Sequence, residues 1–99
     1  MVTKGLRKTL LSASTSVGAG DQFNQSTETP TFQVVGISTT STITVDIQIS
    51  NSGDAWTSSG TTFSANGIGS YTKFYGAVRA NITAYSSTSA DAVSVYGIV

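Results

Sequence analysis

The stretch Thr42–Ser50, TITVDIQIS, alternates strictly between polar and apolar side chains. Side chains of a β-strand point to opposite faces with a period of two residues, so this alternation predicts a strand with one buried and one solvated face. Other segments of the chain, before and after this stretch, show similar patterns. Further strands are predicted over Leu6–Ser14, Thr31–Ile37, Tyr71–Tyr85 and Ala92–Val99.

Turn-forming sequences separate these predicted strands. Asn51–Asp54 and Asn66–Gly67 carry residue types that tolerate positive φ, and Ser86–Ser89 is expected to join the last two strands as a hairpin. Short strands at this spacing bury their apolar faces most economically when two antiparallel sheets pack together. We therefore expect an all-β protein, an antiparallel two-sheet β-sandwich of six to eight short strands, jelly-roll or immunoglobulin-like. Residues 6–99 would form this single domain, preceded by a flexible arm over residues 1–5.

The composition argues against several functional classes. The 99 residues include no cysteine and no histidine, and five basic residues balance five acidic ones. Without cysteine there are no disulfides and no thiolate metal sites, and without histidine the usual general base and the commonest metal ligand are missing. A neutral chain also lacks the basic field that holds nucleic acid. We predict no catalytic residue, no cofactor, no metal site and no nucleic-acid partner.

Two further patterns point away from enzymes and membranes. Ser70–Lys73 matches the S-x-x-K pattern of serine acylating enzymes, but residues three apart on a strand point to opposite faces. We therefore predict that the chain is not an enzyme. No apolar run approaches the roughly 20 residues that span a bilayer, and the first residues do not resemble a signal peptide. No membrane partner is expected.

Basic and aromatic residues supply the candidates for an interaction surface. Tyrosine and arginine are enriched at the centres of protein interfaces, and a basic terminal segment either docks on an acidic neighbour or is simply solvated. Strand alternation predicts that the tyrosines and the arginine of the long fourth strand share one face, next to a tyrosine of the last strand. The open alternatives are sugar stacking on this face, or partial burial without a partner. Trp56 is expected to fill the core. The candidates are Lys4, Arg7, Lys8, Tyr75, Arg79, Tyr85 and Tyr96.

Four stretches carry a family resemblance: Phe32–Gly36, Ser50–Trp56, Val78–Tyr85 and Val93–Gly97. They are similar to strand-packing patterns of small β-sandwich structural proteins in the virions of tailed bacteriophages. The similarity extends over nearly the whole chain, from about Leu10 onward. The chain departs from the family pattern in the order of Asp and Gly before Trp56, and in a serine-rich connection where the family often has a tight glycine turn.

The resemblance implies a non-enzymatic capsid decoration or cement protein. Such a protein would bind the major capsid protein and itself, as a homo-oligomer such as a trimer, and would stabilise the head. Its location would be the virion, after assembly in the host cytoplasm. Two alternatives stay open: a tail, baseplate or fibre component, and a carbohydrate-binding adhesin module that holds a glycan on Tyr75, Tyr85 and Tyr96.

Overall fold

The computed structural model describes residues 7–72 and 76–99, and every regular element in these ranges is a β-strand. The strands form two antiparallel sheets, a four-stranded one in the order β1-β9-β4-β7 and a five-stranded one in the order β2-β8-β5-β6, with β3 also paired to β8. This confirms the predicted all-β, two-sheet sandwich. The strands are β1 (Arg7–Ser14), β2 (Gly18–Ala19), β3 (Phe23–Asn24), β4 (Thr31–Val35), β5 (Thr42–Ser50), β6 (Thr57–Phe63), β7 (Gly67–Ser70), β8 (Ala77–Ser86) and β9 (Val93–Ile98).

The strand order decides between the two predicted architectures. The short strands β2 and β3 lie one after the other along β8, so they act as one interrupted strand and bring the effective number to eight. In an immunoglobulin domain the last two strands share a sheet, whereas here β8 and β9 belong to different sheets. Eight strands that pass repeatedly between two four-membered sheets in this order form a jelly roll.

The connection between β8 and β9 differs from the prediction. Ser86–Ser89 was expected to close a hairpin, but it leads from the five-stranded sheet to the four-stranded one, and the hairpin prediction is wrong. A short polar loop can either close a hairpin or cross from one sheet to the other. Its composition does not distinguish the two, because the residues of the loop do not specify which strands the flanking segments pair with. The arm predicted over residues 1–5 lies outside the described residues.

The core between the sheets is built from the alternating apolar positions that the sequence predicts. The four central strands, β4, β5, β8 and β9, turn alternate side chains inward, and these side chains are almost completely shielded from solvent. The molecule measures 38 × 37 × 19 Å, so it is a flat slab with two broad faces. The inward side chains include Phe32 and Val34 of β4, Ile43, Val45 and Ile47 of β5, Val78, Ala80 and Ile82 of β8, and Val93 and Val95 of β9.

The long strand predicted over Tyr71–Tyr85 is shorter than expected at its start, since β8 begins at Ala77. Tyr71 instead packs against the core, where its ring stacks on Phe32 with 5.8 Å between ring centres. Its hydroxyl donates a hydrogen bond to Oε1 of Gln25 at 2.6 Å. Burial raises the pKa of Tyr71 to about 12, because the charged phenolate would be poorly solvated there.

A β-bulge near the end of β8 changes which side chains face the core. Thr44 of β5 pairs with Ala84 and the next residue, Val45, pairs with Ile82, so Thr83 has no partner in β5. The extra residue shifts the alternation by one position. Tyr85 consequently lies opposite Ile43 and packs against the core, contrary to its predicted place on the outer face with Arg79.

Candidate functional site

The structure separates the residues that the sequence predicted to form one surface. Arg79 and Tyr85 belong to β8 in the five-stranded sheet, whereas Tyr96 belongs to β9 in the other sheet. The predicted neighbourhood of Tyr96 and the long strand is therefore wrong. Lys4 and Tyr75 lie outside the described residues.

Two of the predicted residues do come together. The guanidinium carbon of Arg7 lies 4.7 Å from the ring centre of Tyr96, within the range of a cation–π interaction. Lys8, the next residue on β1, points the other way, and its Nζ atom is 6.0 Å from the ring centre of Phe23. Arg7 and Tyr96 therefore lie next to each other on the outer face of the four-stranded sheet.

Arg7 and Tyr96 line a shallow groove of about 210 Å³ that runs across the strands. The strand register sets its two rims. On one rim Ile98 of β9 lies between Arg7 of β1 and Thr31 of β4, and on the other Gln33 of β4 lies between Tyr96 of β9 and Ile68 of β7. The residues that line the groove are Arg7, Thr31, Phe32, Gln33, Ile68, Tyr96, Gly97 and Ile98.

The groove exposes large apolar side chains to solvent. Ile68 is 72 % exposed and Ile98 is 38 % exposed, and the third large aliphatic side chain exposed among the described residues, Val17, lies outside the groove. Ile68 stands between Gly67 and Gly69, which have no side chains to cover it. The two isoleucines lie on β7 and β9 with β4 between them, and together they give the groove its apolar character.

The outer face of the five-stranded sheet has the opposite character, because its polar side chains bond to one another. Nε of Arg79 donates to Oε1 of Gln48 at 2.8 Å, and the hydroxyl of Ser58 donates to Oδ1 of Asp46 at 2.7 Å. Arg79 also covers Trp56, with 4.4 Å between its guanidinium carbon and the ring. Trp56 therefore lies on this face and outside the described core, and its prediction as a core residue is wrong.

Tyr85 stabilises the fold and does not belong to either outer face. Its ring packs against the core, and its hydroxyl donates to the carbonyl oxygen of Asp91 at 2.6 Å. Both the apolar and the polar part of the side chain are thus engaged within the fold. Of the predicted interface residues that the structure describes, Arg7 and Tyr96 are the two that share a surface.

Neither Ile68 nor Ile98 is among the residues that the sequence predicted for an interaction surface, although both line the groove. A signal was present in the segment Gly67–Ser70, where an isoleucine stands between two glycines. The pattern is too short to show an alternation, and the exposure of Ile68 follows from β7 being the edge of its sheet.

A second concave region lies at one end of the sandwich. It is a polar cleft of about 270 Å³ whose walls carry amide and hydroxyl groups and no charged side chain. Gln25 in its wall is held by hydrogen bonds to Thr27 and Tyr71. The other residues that line the cleft are Gln22, Asn24, Asn51, Ser52, Gly53, Gly76 and Ala77.

The described residues offer neither a metal-binding cluster nor a membrane-spanning helix. They contain no group of three or more His, Cys, Asp or Glu side chains placed to hold a metal ion. In residues 7–72 and 76–99 there is also no helix with the length and apolar character of a membrane span.

No protein-family model, no curated protein and no solved structure matches this chain. A functional assignment therefore depends on the chemistry of the two faces and on the resemblance described above.

Proposed function

We propose that this chain is a non-enzymatic structural protein that docks on a protein partner through the outer face of its four-stranded sheet. Following the resemblance to small virion proteins, we propose that the partner is the major capsid protein of a tailed bacteriophage. The chain would then be a capsid decoration or cement protein that stabilises the head.

The difference between the two broad faces is the observation that supports this proposal. The face of the five-stranded sheet pairs its polar groups internally, through Arg79 with Gln48 and Ser58 with Asp46. The face of the four-stranded sheet leaves Ile68 and Ile98 in contact with solvent. Burying a fully exposed aliphatic side chain contributes about 1.5–3 kcal/mol. Covering Ile68, which is 72 % exposed, therefore favours docking more than covering Ile98, which is 38 % exposed.

The size of the face also suits a specific interface. A standard interface buries roughly 800 Å² on each partner. The slab is 38 Å by 37 Å across its broad faces, which offers more area than this requirement. The groove with Ile68, Ile98 and Tyr96 would form the apolar centre, and the surrounding hydroxyl side chains would form the polar rim.

A binding experiment on phage heads tests the proposal. Heads assembled without this protein are mixed with the purified chain, and bound protein is measured by co-sedimentation and head stability by thermal rupture. We expect the chain to bind and to raise the rupture temperature. The variant Ile68→Ser should bind much more weakly, because it removes the most exposed apolar side chain of the groove.

The matched control is Val17→Ser, which removes an exposed aliphatic side chain away from the groove. This variant should bind like the unmodified chain. Heads that neither bind the chain nor gain resistance to heat would refute the decoration role. Equal loss of binding in both variants would refute the assignment of the docking face.

The alternatives make different predictions. A tail, baseplate or fibre component would use the same docking face, but a labelled chain would appear on the tail and not on the head. The adhesin alternative relied on Tyr75, Tyr85 and Tyr96, and the structure turns Tyr85 inward and places Tyr96 on the other sheet. Jelly rolls occur in viral capsid proteins and in lectins, so the fold by itself does not choose between these roles.

A further inference from the structure

The groove combines one charged group with apolar walls, and this combination restricts what it can bind. We infer that it accepts a short extended segment of a partner protein that carries a carboxylate at one end and an aliphatic side chain at the other. This inference rests on the proposed function, since it names the chemistry of the segment that the docking face would bind.

Arg7 is the residue that would bind the carboxylate at one end of the partner segment. Of the eight residues that line the groove, Arg7 is the one with a charged side chain, so the groove is complementary to a single negative charge. A guanidinium group has five N–H donors that lie in its plane. When one face of the group rests on the Tyr96 ring, these donors remain directed sideways, where a carboxylate can bind to two of them.

The contact with Tyr96 also prepares Arg7 for binding. A free arginine side chain loses rotamer entropy when it is fixed by a ligand. Here the cation–π interaction already favours one placement of the guanidinium over the ring, 4.7 Å from its centre. A carboxylate that binds to Arg7 therefore orders less of the protein than it would at a solvated arginine.

The aliphatic end is assigned by Ile68, which lies on β7 at the far edge of the sheet. Ile98 lies on β9 next to Arg7 on β1, so it adds apolar surface close to the carboxylate end. Neighbouring strands are about 4.8 Å apart, so the groove from β1 to β7 is roughly 14 Å long. An extended chain covers this length with about four residues. Between the two ends, Thr31 and Gln33 offer neutral hydrogen-bonding groups to the peptide backbone.

Two blocked tetrapeptides test the inference directly. One has the sequence Asp-Ser-Ser-Leu, and the other is its uncharged counterpart Asn-Ser-Ser-Leu, which has nearly the same shape. Each peptide is titrated into the full chain up to about 10 mM, since an isolated short segment binds weakly. Two-dimensional amide NMR spectra follow the signals of Ile68, Gly97 and Ile98.

We expect the acidic peptide to shift these three signals and to bind at least about threefold more tightly than the amide peptide. The variant Arg7→Gln should abolish this preference. The variant Lys8→Gln is the matched control, because it removes the same charge from the next residue, whose side chain points away from the groove. It should keep the preference.

Three results would overturn the inference: equal affinity for the two peptides, shifts confined to other parts of the chain, or the same loss of preference in both variants. Groove signals that move with protein concentration before peptide is added would identify a second copy of the chain as the occupant and would also overturn it. Failure of the inference and failure of the proposed function can be told apart. If Ile68→Ser weakens docking on heads while both peptides bind equally, the docking face stands and the carboxylate preference does not.

Discussion

At Asp91 a single carboxylate connects two loops that are about fifty residues apart in the chain. Its Oδ2 atom accepts hydrogen bonds from the backbone N–H and the hydroxyl of Ser38, both at 3.0 Å, and from the hydroxyl of Ser41. Its Oδ1 atom accepts a hydrogen bond from the hydroxyl of Ser89 at 2.9 Å. These donors, with Ser41 first, hold the pKa of Asp91 well below its usual range. The carboxylate therefore holds the β4–β5 and β8–β9 connections together at one end of the sandwich.

The substitution Asp91→Asn should lower the melting temperature at neutral pH. An amide offers one acceptor oxygen where the carboxylate offers two charged ones, and hydrogen bonds to a charged acceptor are the stronger kind. The matched control is Asp54→Asn, because Asp54 is an exposed acid whose carboxylate takes no part in this network. Thermal denaturation followed by circular dichroism measures both variants. A control that loses as much stability as Asp91→Asn would contradict the role assigned to the network.

The same network makes a prediction for pH. The pKa of Asp91 is lower in the folded chain than in the unfolded chain, where it is about 3.9. Its stabilisation is then fully present above the unfolded-state value and is lost as the pH falls towards the folded-state value. The difference in melting temperature between the unmodified chain and Asp91→Asn should be constant from about pH 8 to pH 5 and should shrink below about pH 4. A difference of the same size at both ends of this range would show that the charge of Asp91 does not contribute.

At the scale of single elements, the end of β4 depends on a glycine. Gly36 follows the last residue of the strand with a φ of +94°, in the region that side chains with a Cβ atom avoid. A Cβ atom added there would also overlap the carbonyl oxygen of Ala92, which precedes β9. Gly60 in β6 has a similar φ of +91°, but an added Cβ atom would meet no atom within 4 Å.

These two glycines allow the backbone strain and the steric overlap to be measured separately. Gly60→Ala should lower the free energy of unfolding by about 1–2 kcal/mol, the cost of placing alanine at positive φ. Gly36→Ala should cost roughly 1–3 kcal/mol more, since the backbone of Ala92 must also move. Urea denaturation gives both values. Equal losses in the two variants would show that the close approach of Gly36 to Ala92 does not limit the pairing of β4 with β9.

The strands also show which features of the fold could be predicted from the sequence. The inward faces of β5 and β9 follow directly from their alternating side chains, and the structure confirms them. The bulge at Thr83 could not be predicted, because its residue type is ordinary in a strand and its position is set by the pairing with β5. That one residue determines whether Tyr85 faces the solvent or the core.

At the scale of the whole molecule, the sequence predicts two packed sheets but does not predict which strands share a sheet. The pairing of β9 with β1 and β4 depends on contacts between residues that are far apart in the chain, so it cannot be predicted from a local sequence pattern. For this reason Tyr96 was expected beside the long strand β8, although it lies on the opposite side of the slab from Arg79. Two residues of the candidate surface, Arg7 and Tyr96, could be predicted from their residue types, whereas the location of the surface and the contribution of Ile68 required the fold.

The proposed function requires that the outer face of the four-stranded sheet is covered in the assembled particle. The chain contains no cysteine, so single cysteines can be introduced as reporters without interference. Thr31→Cys places a thiol in the groove, and Thr62→Cys places one on the outer face of the other sheet; both threonines are exposed strand residues. The rate of labelling with a maleimide is compared for the free chain and for the chain bound to heads.

Both thiols should react readily in the free chain. On heads, the thiol of Thr31→Cys should react at least about tenfold more slowly, while the thiol of Thr62→Cys should keep its rate, because thiol reactivity depends on access. Unchanged labelling of Thr31→Cys on heads, or protection of Thr62→Cys in its place, would contradict the assignment of the docking face.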